Sequence, residues 1–330
     1  MDYIASELVE ELYKLVDSSD KIIIHRHVRP DPDAIGSQLG LKKLIQNKYP
    51  QKTVLAAGST TKGLAWLGEM DKVSEDDYQD ALVIIVDTAN QPRIDGKHYN
   101  KGKSLVKIDH HPDVDDFGDL QLIYPQASSV SEIITLISVY LSDRLPMTNA
   151  AARLLYAGIV ADTGRFKYDA TSLYTFRAAS FLKEFEFDAF EINDRFELMT
   201  LDQAKFHAYV YQHLTITDDQ VAYLIITREN LSEFNISEEQ TDSVINLAST
   251  LEGVLSWVTF VEGDGANTRY RGRLRSKGPA INEIASRHDG GGHPKASGAN
   301  AYSEAELVEI IAEMGEANRV YLQEKQEEQA

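Results

Sequence analysis

His27, Asp31 and Asp33 lie within His27-Val28-Arg29-Pro30-Asp31-Pro32-Asp33, just after the apolar run Ile22-Ile23-Ile24. Asp109-His110-His111 follows a second apolar run, Ser104-Leu105-Val106-Lys107-Ile108. Imidazoles and carboxylates this dense, at the ends of buried runs, suit a pair of divalent cations and, with them, phosphoester hydrolysis. Pro30 and Pro32 stiffen the first segment, so that Asp31 and Asp33 can point the same way. The bland alternative for Asp33 is an N-cap of a helix opening at Ala34, and the two roles are compatible. Asp87 closes the apolar run 81–86, a place where a carboxylate alone is more often a turn or cap residue. Asp162 follows an apolar helix and sits at the negative end of its dipole, a cost that a nearby cation would explain.

The elements that must position these residues follow from periodicity. An amphipathic helix is predicted over 4–16. Strands are predicted at 21–24, 53–57, 81–86 and 104–108, with helical spacing from Ile35 to Ile45 and helices over 128–142 and 149–160. Strand–helix alternation with fully apolar strands argues for a parallel α/β sheet, whose ligands bind beyond the carboxyl ends of the strands. The His27 segment, Asp87 and Asp109 all fall there. Residues 171–209 read as mostly helical. A second region carries strands at 221–226, 254–262 and 268–276, with a Gly263-Asp264-Gly265 turn between the last two. A helical stretch is predicted over 238–250 and a charged C-terminal helix over 304–326. The tail 324–330 is expected to be solvated and disordered.

At 330 residues the chain suits two domains. It has no cysteine, so a metal must be held by histidine and carboxylate. No apolar run is long enough to span a bilayer, and the N-terminus lacks signal-peptide features, so a cytoplasmic protein without membrane association is expected. The net charge of −19 disfavours long duplex nucleic acid but leaves room for a small anionic ligand in a locally basic cleft. Arg269, Arg271, Arg273, Arg275 and Lys277 alternate along the strand and share one face. Arg269 and Lys277 read as solvated, and the central three as anion-binding. Gly290, Gly291 and Gly292, before His293, would leave backbone N–H groups open to a phosphate or base.

In order and context, His27-x3-Asp31-x-Asp33, Asp87, Asp109-His110-His111 and Asp162 resemble the DHH phosphoesterase superfamily. The stretch Gly290-Gly291-Gly292-His293-Pro294-Lys295-Ala296-Ser297-Gly298 is similar to the signature of the associated DHHA1 domain, with Asp289 as a departure beside it. The resemblance spans nearly the whole chain and is nearest the short, stand-alone NrnA-like nanoRNases, a group including phosphodiesterases for cyclic di-AMP and its linear product pApA.

The resemblance implies an α/β protein with a parallel-sheet DHH domain at 1–195, a connector at 196–214 and a smaller α/β DHHA1 domain at 215–330, with the active site in the interdomain cleft. It implies that His27 and Asp31 hold one metal, that Asp33, His110 and Asp162 hold the second, and that Asp87 bridges them. His111 would reach the substrate phosphate or the bridging water. Arg271, Arg273, Arg275, Gly290, Gly291, Gly292 and His293 would bind substrate. The four carboxylates and two imidazoles suit two Mn²⁺ or Mg²⁺ ions, and the imidazoles and the family favour Mn²⁺. The implied enzyme hydrolyses short oligoribonucleotides and dinucleotides (pApA first, then cyclic di-AMP) to 5′-mononucleotides such as AMP. It also acts as a pAp phosphatase and works as a homodimer. The competing readings are a DHH-type manganese pyrophosphatase and a nucleotide-binding sensor without turnover.

Overall fold

The computed structural model describes residues 4–263 and 269–329, which form two compact units, 1–198 and 199–330. The expected turn at 263–265 and the first residue of the strand expected over 268–276 fall largely outside the described residues.

The first unit is built on five parallel strands: β1 (Lys21–His25), β2 (Thr53–Ala56), β3 (Leu82–Val86), β4 (Ser104–Asp109) and β5 (Leu120–Ile123). Their order is β2-β1-β3-β4-β5. The apolar runs are buried on both faces; Ile22, Ile23 and Ile24 are fully enclosed, each contributing about 1.5–3 kcal/mol. Around the sheet run α1 (Ser6–Ser18), α2 (Pro32–Lys48), α3 (Val130–Leu141), α4 (Asn149–Asp162), α5 (Leu173–Leu182) and α6 (Ala189–Glu197). The strand order reverses between β1 and β3, and in doubly wound sheets such a switch point opens a crevice beyond the strand ends.

The second unit opens with α7 (Leu201–His213), whose Phe206 and Val210 pack with Leu224, Ile226 and Val261 of that unit's sheet. Most of the stretch expected to be a connector is therefore a packed helix of the second unit. The sheet comprises β6 (Thr215–Ile216), β7 (Val221–Ile226), β8 (Ser256–Glu262), β9 (Tyr270–Ser276), β10 (Gly291–His293) and β11 (Ala296–Ala301), in the order β10-β11-β9-β8-β7-β6. β7 and β8 run parallel, and the other neighbours run antiparallel. The unit also contains α8 (Arg228–Glu233), α9 (Asn282–Arg287) and α10 (Glu304–Gln329).

Three expectations change here. The helix expected over 238–250 is two short 3-10 segments, Glu239–Val244 and Leu247–Thr250, with Val244, Ile245 and Ala248 buried. The tail expected to be disordered continues α10 to Gln329, where Lys325 and Glu328 form an i,i+3 ion pair along the helix. The glycine triplet lies at a hairpin strand rather than a free turn. Gly291 and Gly292 pair with Gly298 and Ser297, a Cβ at Gly290 would run into the Gly298 carbonyl, and one at Gly292 would lie 2.6 Å from the Ala296 oxygen. Among the described residues, no helix is long and apolar enough to cross a membrane.

Candidate metal centre

The three chain segments identified from the sequence meet beyond the carboxyl ends of β1, β3 and β4, at the strand-order reversal. His27 Nδ1 lies 2.8 Å from the Val28 carbonyl, and its Nε2 is 3.6 Å from Asp31 Oδ2 and 3.4 Å from Asp87 Oδ2. His110 repeats the arrangement. Its Nδ1 is 3.3 Å from the Ala127 carbonyl, and its Nε2 is 3.4 Å from Asp87 Oδ1 and 3.5 Å from Asp162 Oδ2. A carbonyl accepting from Nδ1–H fixes the tautomer that leaves Nε2 as a ligand, the usual outer support of a metal-binding histidine.

Asp87 stands between the two groups with one oxygen toward each. It is almost fully buried, and its Oδ1 has no hydrogen-bond partner among the described residues. Its backbone is left-handed, at φ 49°, which turns the carboxylate back across the end of β3. Three overlapping sets of ligand atoms result: His27 with Asp31 and Asp87; Asp33 with His110 and Asp162; and Asp87 with His110 and His111.

Asp31 and Asp33 divide their tasks differently from the capping alternative. Asp31, not Asp33, is the N-cap of α2, its Oδ1 accepting from the Ala34 N–H at 2.9 Å, because the helix opens at Pro32. Asp33 is fully buried and accepts from the Val130 and Ser131 N–H groups at 2.7 and 2.9 Å, which ties the start of α2 to the start of α3. Asp162 is the last residue of α4, as expected.

The electrostatics are those of a site short of positive charge. Burial opposes a charge on His27, but Asp31 and Asp87 outweigh it and raise its pKa to about 10. Burial likewise opposes a charge on His110, and Asp87 outweighs it. Burial first, and then the Asp87 charge, raises Asp33 to about 7. Asp162 is also pushed up, by burial and then by Asp33. Burial would raise Asp87 too, but His110 and His27 hold it well below the usual carboxylate range. Protons thus occupy positions that cations would fill, so the donor set, the anchored imidazoles and the orphaned Asp87 oxygen all fit a two-cation site.

Several supporting residues had no assigned role in the sequence. Asp109 Oδ1 accepts from the His110 and His111 N–H groups and from His111 Nδ1 at 2.8 Å, so His111 presents Nε2 outward. Lys107 is completely buried, and its ammonium reaches the Ala89 and Asp115 carbonyls, both at 3.2 Å, tying the loop after Asp87 to the loop after His111. A lysine inside an apolar strand was the available signal, since a buried charge needs partners. Arg26, also fully buried, pairs with Asp95 and donates to the His27 carbonyl at 3.0 Å. His25 is buried between the Asp95 carbonyl at 2.8 Å and the Tyr78 hydroxyl at 3.0 Å, remote from the ligand sets, as a structural histidine would be.

In the second unit, Arg271, Arg273 and Arg275 share the exposed side of β9, while Tyr270, Gly272, Leu274 and Ser276 face inward. Arg273, Arg275 and Gly291 line a pocket of about 480 Å³ together with Asp242, Asn246 and Ser297. Arg271 is held by Glu238 at 3.0 Å; Gly290 directly precedes β10, and His293 is its last residue.

Residues 21–159 match the DHH family, N-terminal domain, and residues 218–319 match the DHHA1 domain. The chain belongs to the DHH family. It is 48% identical over 299 residues, 91% of this chain and 95% of the other, to a Streptococcus mutans protein named "Probable bifunctional oligoribonuclease and PAP phosphatase NrnA". It is 39% identical to the Bacillus subtilis "Bifunctional oligoribonuclease and PAP phosphatase NrnA", covering 92% of this chain and 96% of that one. An exopolyphosphatase-related protein from Bacteroides fragilis shares the fold, with a TM-score of 0.85 at 23% identity over 96% of this chain and 97% of that one.

Proposed function

We propose that the protein is a manganese-dependent phosphodiesterase that hydrolyses short oligoribonucleotides and dinucleotides to 5′-mononucleotides. pApA is the preferred substrate, cyclic di-AMP comes next, and pAp is dephosphorylated as well. The observation that carries this reading is Asp87, whose two oxygens face two separate imidazole–carboxylate groups. The names of the relatives support the substrate class.

His27 and Asp31 would hold one cation, Asp33, His110 and Asp162 the other, and Asp87 both. When bound, two such ions lower the pKa of a shared water and neutralise charge on phosphoryl oxygens. The remaining work falls to the chain. Asp109 fixes His111 with Nδ1 inward, leaving Nε2 to hydrogen-bond the phosphate. Arg273, Arg275 and the β10 edge bind the nucleotide, with His293 and Arg271 beside them. In domain terms, 1–195 is the catalytic part and 215–330, with α7 packed on its sheet, the substrate-binding part. A cytoplasmic homodimer completes the proposal; Leu173, Phe176 and Phe190 leave exposed apolar surface that an assembly would cover.

The deciding experiment offers pApA, cyclic di-AMP, pAp and pyrophosphate to the purified protein with Mn²⁺ and resolves the products by chromatography. AMP from pApA is expected. Phosphate from pyrophosphate alone, or binding without any product, would overturn the proposal.

A further inference from the structure

Two of the three arginines on the exposed face of β9 are already engaged by carboxylates. Arg271 Nη1 lies 3.0 Å from Glu238 Oε1, and Arg273 Nη2 lies 3.1 Å from Asp242 Oδ1 while its Nη1 donates to the Thr241 hydroxyl. Both carboxylates come from one short segment laid over that face. The segment's backbone is pinned beside them: Thr241 is fully buried and donates to the Glu238 carbonyl, and the Trp257 indole donates to the Ile245 carbonyl at 2.5 Å. Asp242 also forms a wall of the 480 Å³ pocket that Arg273 and Arg275 line. Asp242 is thus built into the pocket wall, with its side chain 68% exposed, while Glu238 pairs with Arg271 outside the pocket lining.

We propose that Glu238 and Asp242 form an acidic latch on the arginine stripe, so that an anionic ligand gains Arg271 and Arg273 only by exchanging with these carboxylates. The idea rests on the proposed role of this face in holding a nucleotide. Its physical content is a competition. An exposed ion pair is weak and screened by salt, so a phosphate can displace it, yet the carboxylate that it displaces stays close and repels the anion. The latch therefore sets a threshold: it disfavours weakly held anions and makes binding depend on the further contacts a nucleotide supplies, which a bare phosphate lacks.

The test is equilibrium binding of 5′-AMP and of inorganic phosphate to the full-length protein, by calorimetry at low and high salt, for the wild type, Asp242→Asn and Glu238→Gln. Thermal melts confirm the fold of each variant. Asp242→Asn is expected to bind both ligands about two- to five-fold more tightly, with the gain fading at high salt. Glu238→Gln is expected to shift binding the same way by less. Unchanged or weaker binding by a folded Asp242→Asn would overturn the latch and leave Asp242 as a support that orients Arg273. Because AMP binding is read directly, a wild type that releases no AMP from pApA would refute the proposed function without deciding the latch.

Discussion

Asp87 combines a backbone conformation that a non-glycine residue seldom adopts with a buried oxygen that nothing in the described structure satisfies. One imidazole approaches each oxygen, the placement that the proposed bridging role requires. Asp87→Ala is expected to keep the fold but lose bound metal, and turnover should fall at least about a hundred-fold, the scale already reached when an outer support of a ligand is removed. Normal turnover with unchanged metal content would refute the bridging role. The protonation pattern gives a second expectation. His27 has a pKa raised to about 10, so its stabilising contribution is complete below its ordinary value of 6.5 and is lost as pH rises through 10. Asp33, raised to about 7, costs stability once ionised, beginning above its ordinary 3.8 and complete beyond 7. Both signs agree: the chelator-treated protein should become less stable as pH rises from 6 to 9. Manganese should reverse the trend, bind more tightly as pH rises and release protons. Melts with and without chelator, and calorimetry in buffers of different ionisation enthalpy, read these outcomes; a flat profile with no proton release would contradict them.

At the scale of elements, the site depends on how closely α2 and α4 approach. A Cβ on Gly36 would lie 2.5 Å from the Leu154 carbonyl, and one on Gly158 would lie 2.6 Å from Asp33 Oδ1 and strike the Ser131 hydroxyl. Glycine at 158 thus leaves room for the carboxylate that joins α2 to α3. Gly158→Ala should cost about 1–3 kcal/mol through overpacking and displace Asp33. Metal affinity should then fall more than does that of an equally destabilised variant elsewhere in the core, such as Ile137→Val. Equal affinities in the two would show that the glycine serves packing alone. The strands that carry the site were legible because they are largely apolar runs, those of β3 and β4 stopped by a carboxylate and that of β1 followed by His25-Arg26-His27. The β10–β11 hairpin was not, because Gly291-Gly292-His293 has neither β-branched residues nor alternation, and its pairing is fixed by backbone approach to β11. Asp31 rather than Asp33 became the N-cap because Pro32 is tolerated in the first helical turn, which starts the helix before Ala34.

At the scale of the whole molecule, the two units have separate apolar cores, one around Ile22, Val86 and Leu155 and one around Val258, Phe260 and Met314. The chain has two tryptophans, and Trp66 falls in the first unit and Trp257 in the second. A ligand stabilises what it binds, so Mn²⁺ should raise the unfolding midpoint of the unit holding His27 and Asp87. In Trp257→Phe the fluorescence transition should move with added Mn²⁺, whereas in Trp66→Phe it should move less. Equal shifts would mean that the units unfold as one. The sequence by itself determined the candidate ligand types, their order and the strand ends on which they sit, because these are local properties of composition and periodicity. It also determined the alternation that puts the arginines on one face of β9. Only the tertiary structure decided that Asp87 stands between two imidazoles, that Lys107 ties the loop after Asp87 to the one after His111, and that Glu238 and Asp242 pair with Arg271 and Arg273. Those are contacts between residues far apart in the chain, set by strand order and helix packing, and no local pattern encodes them.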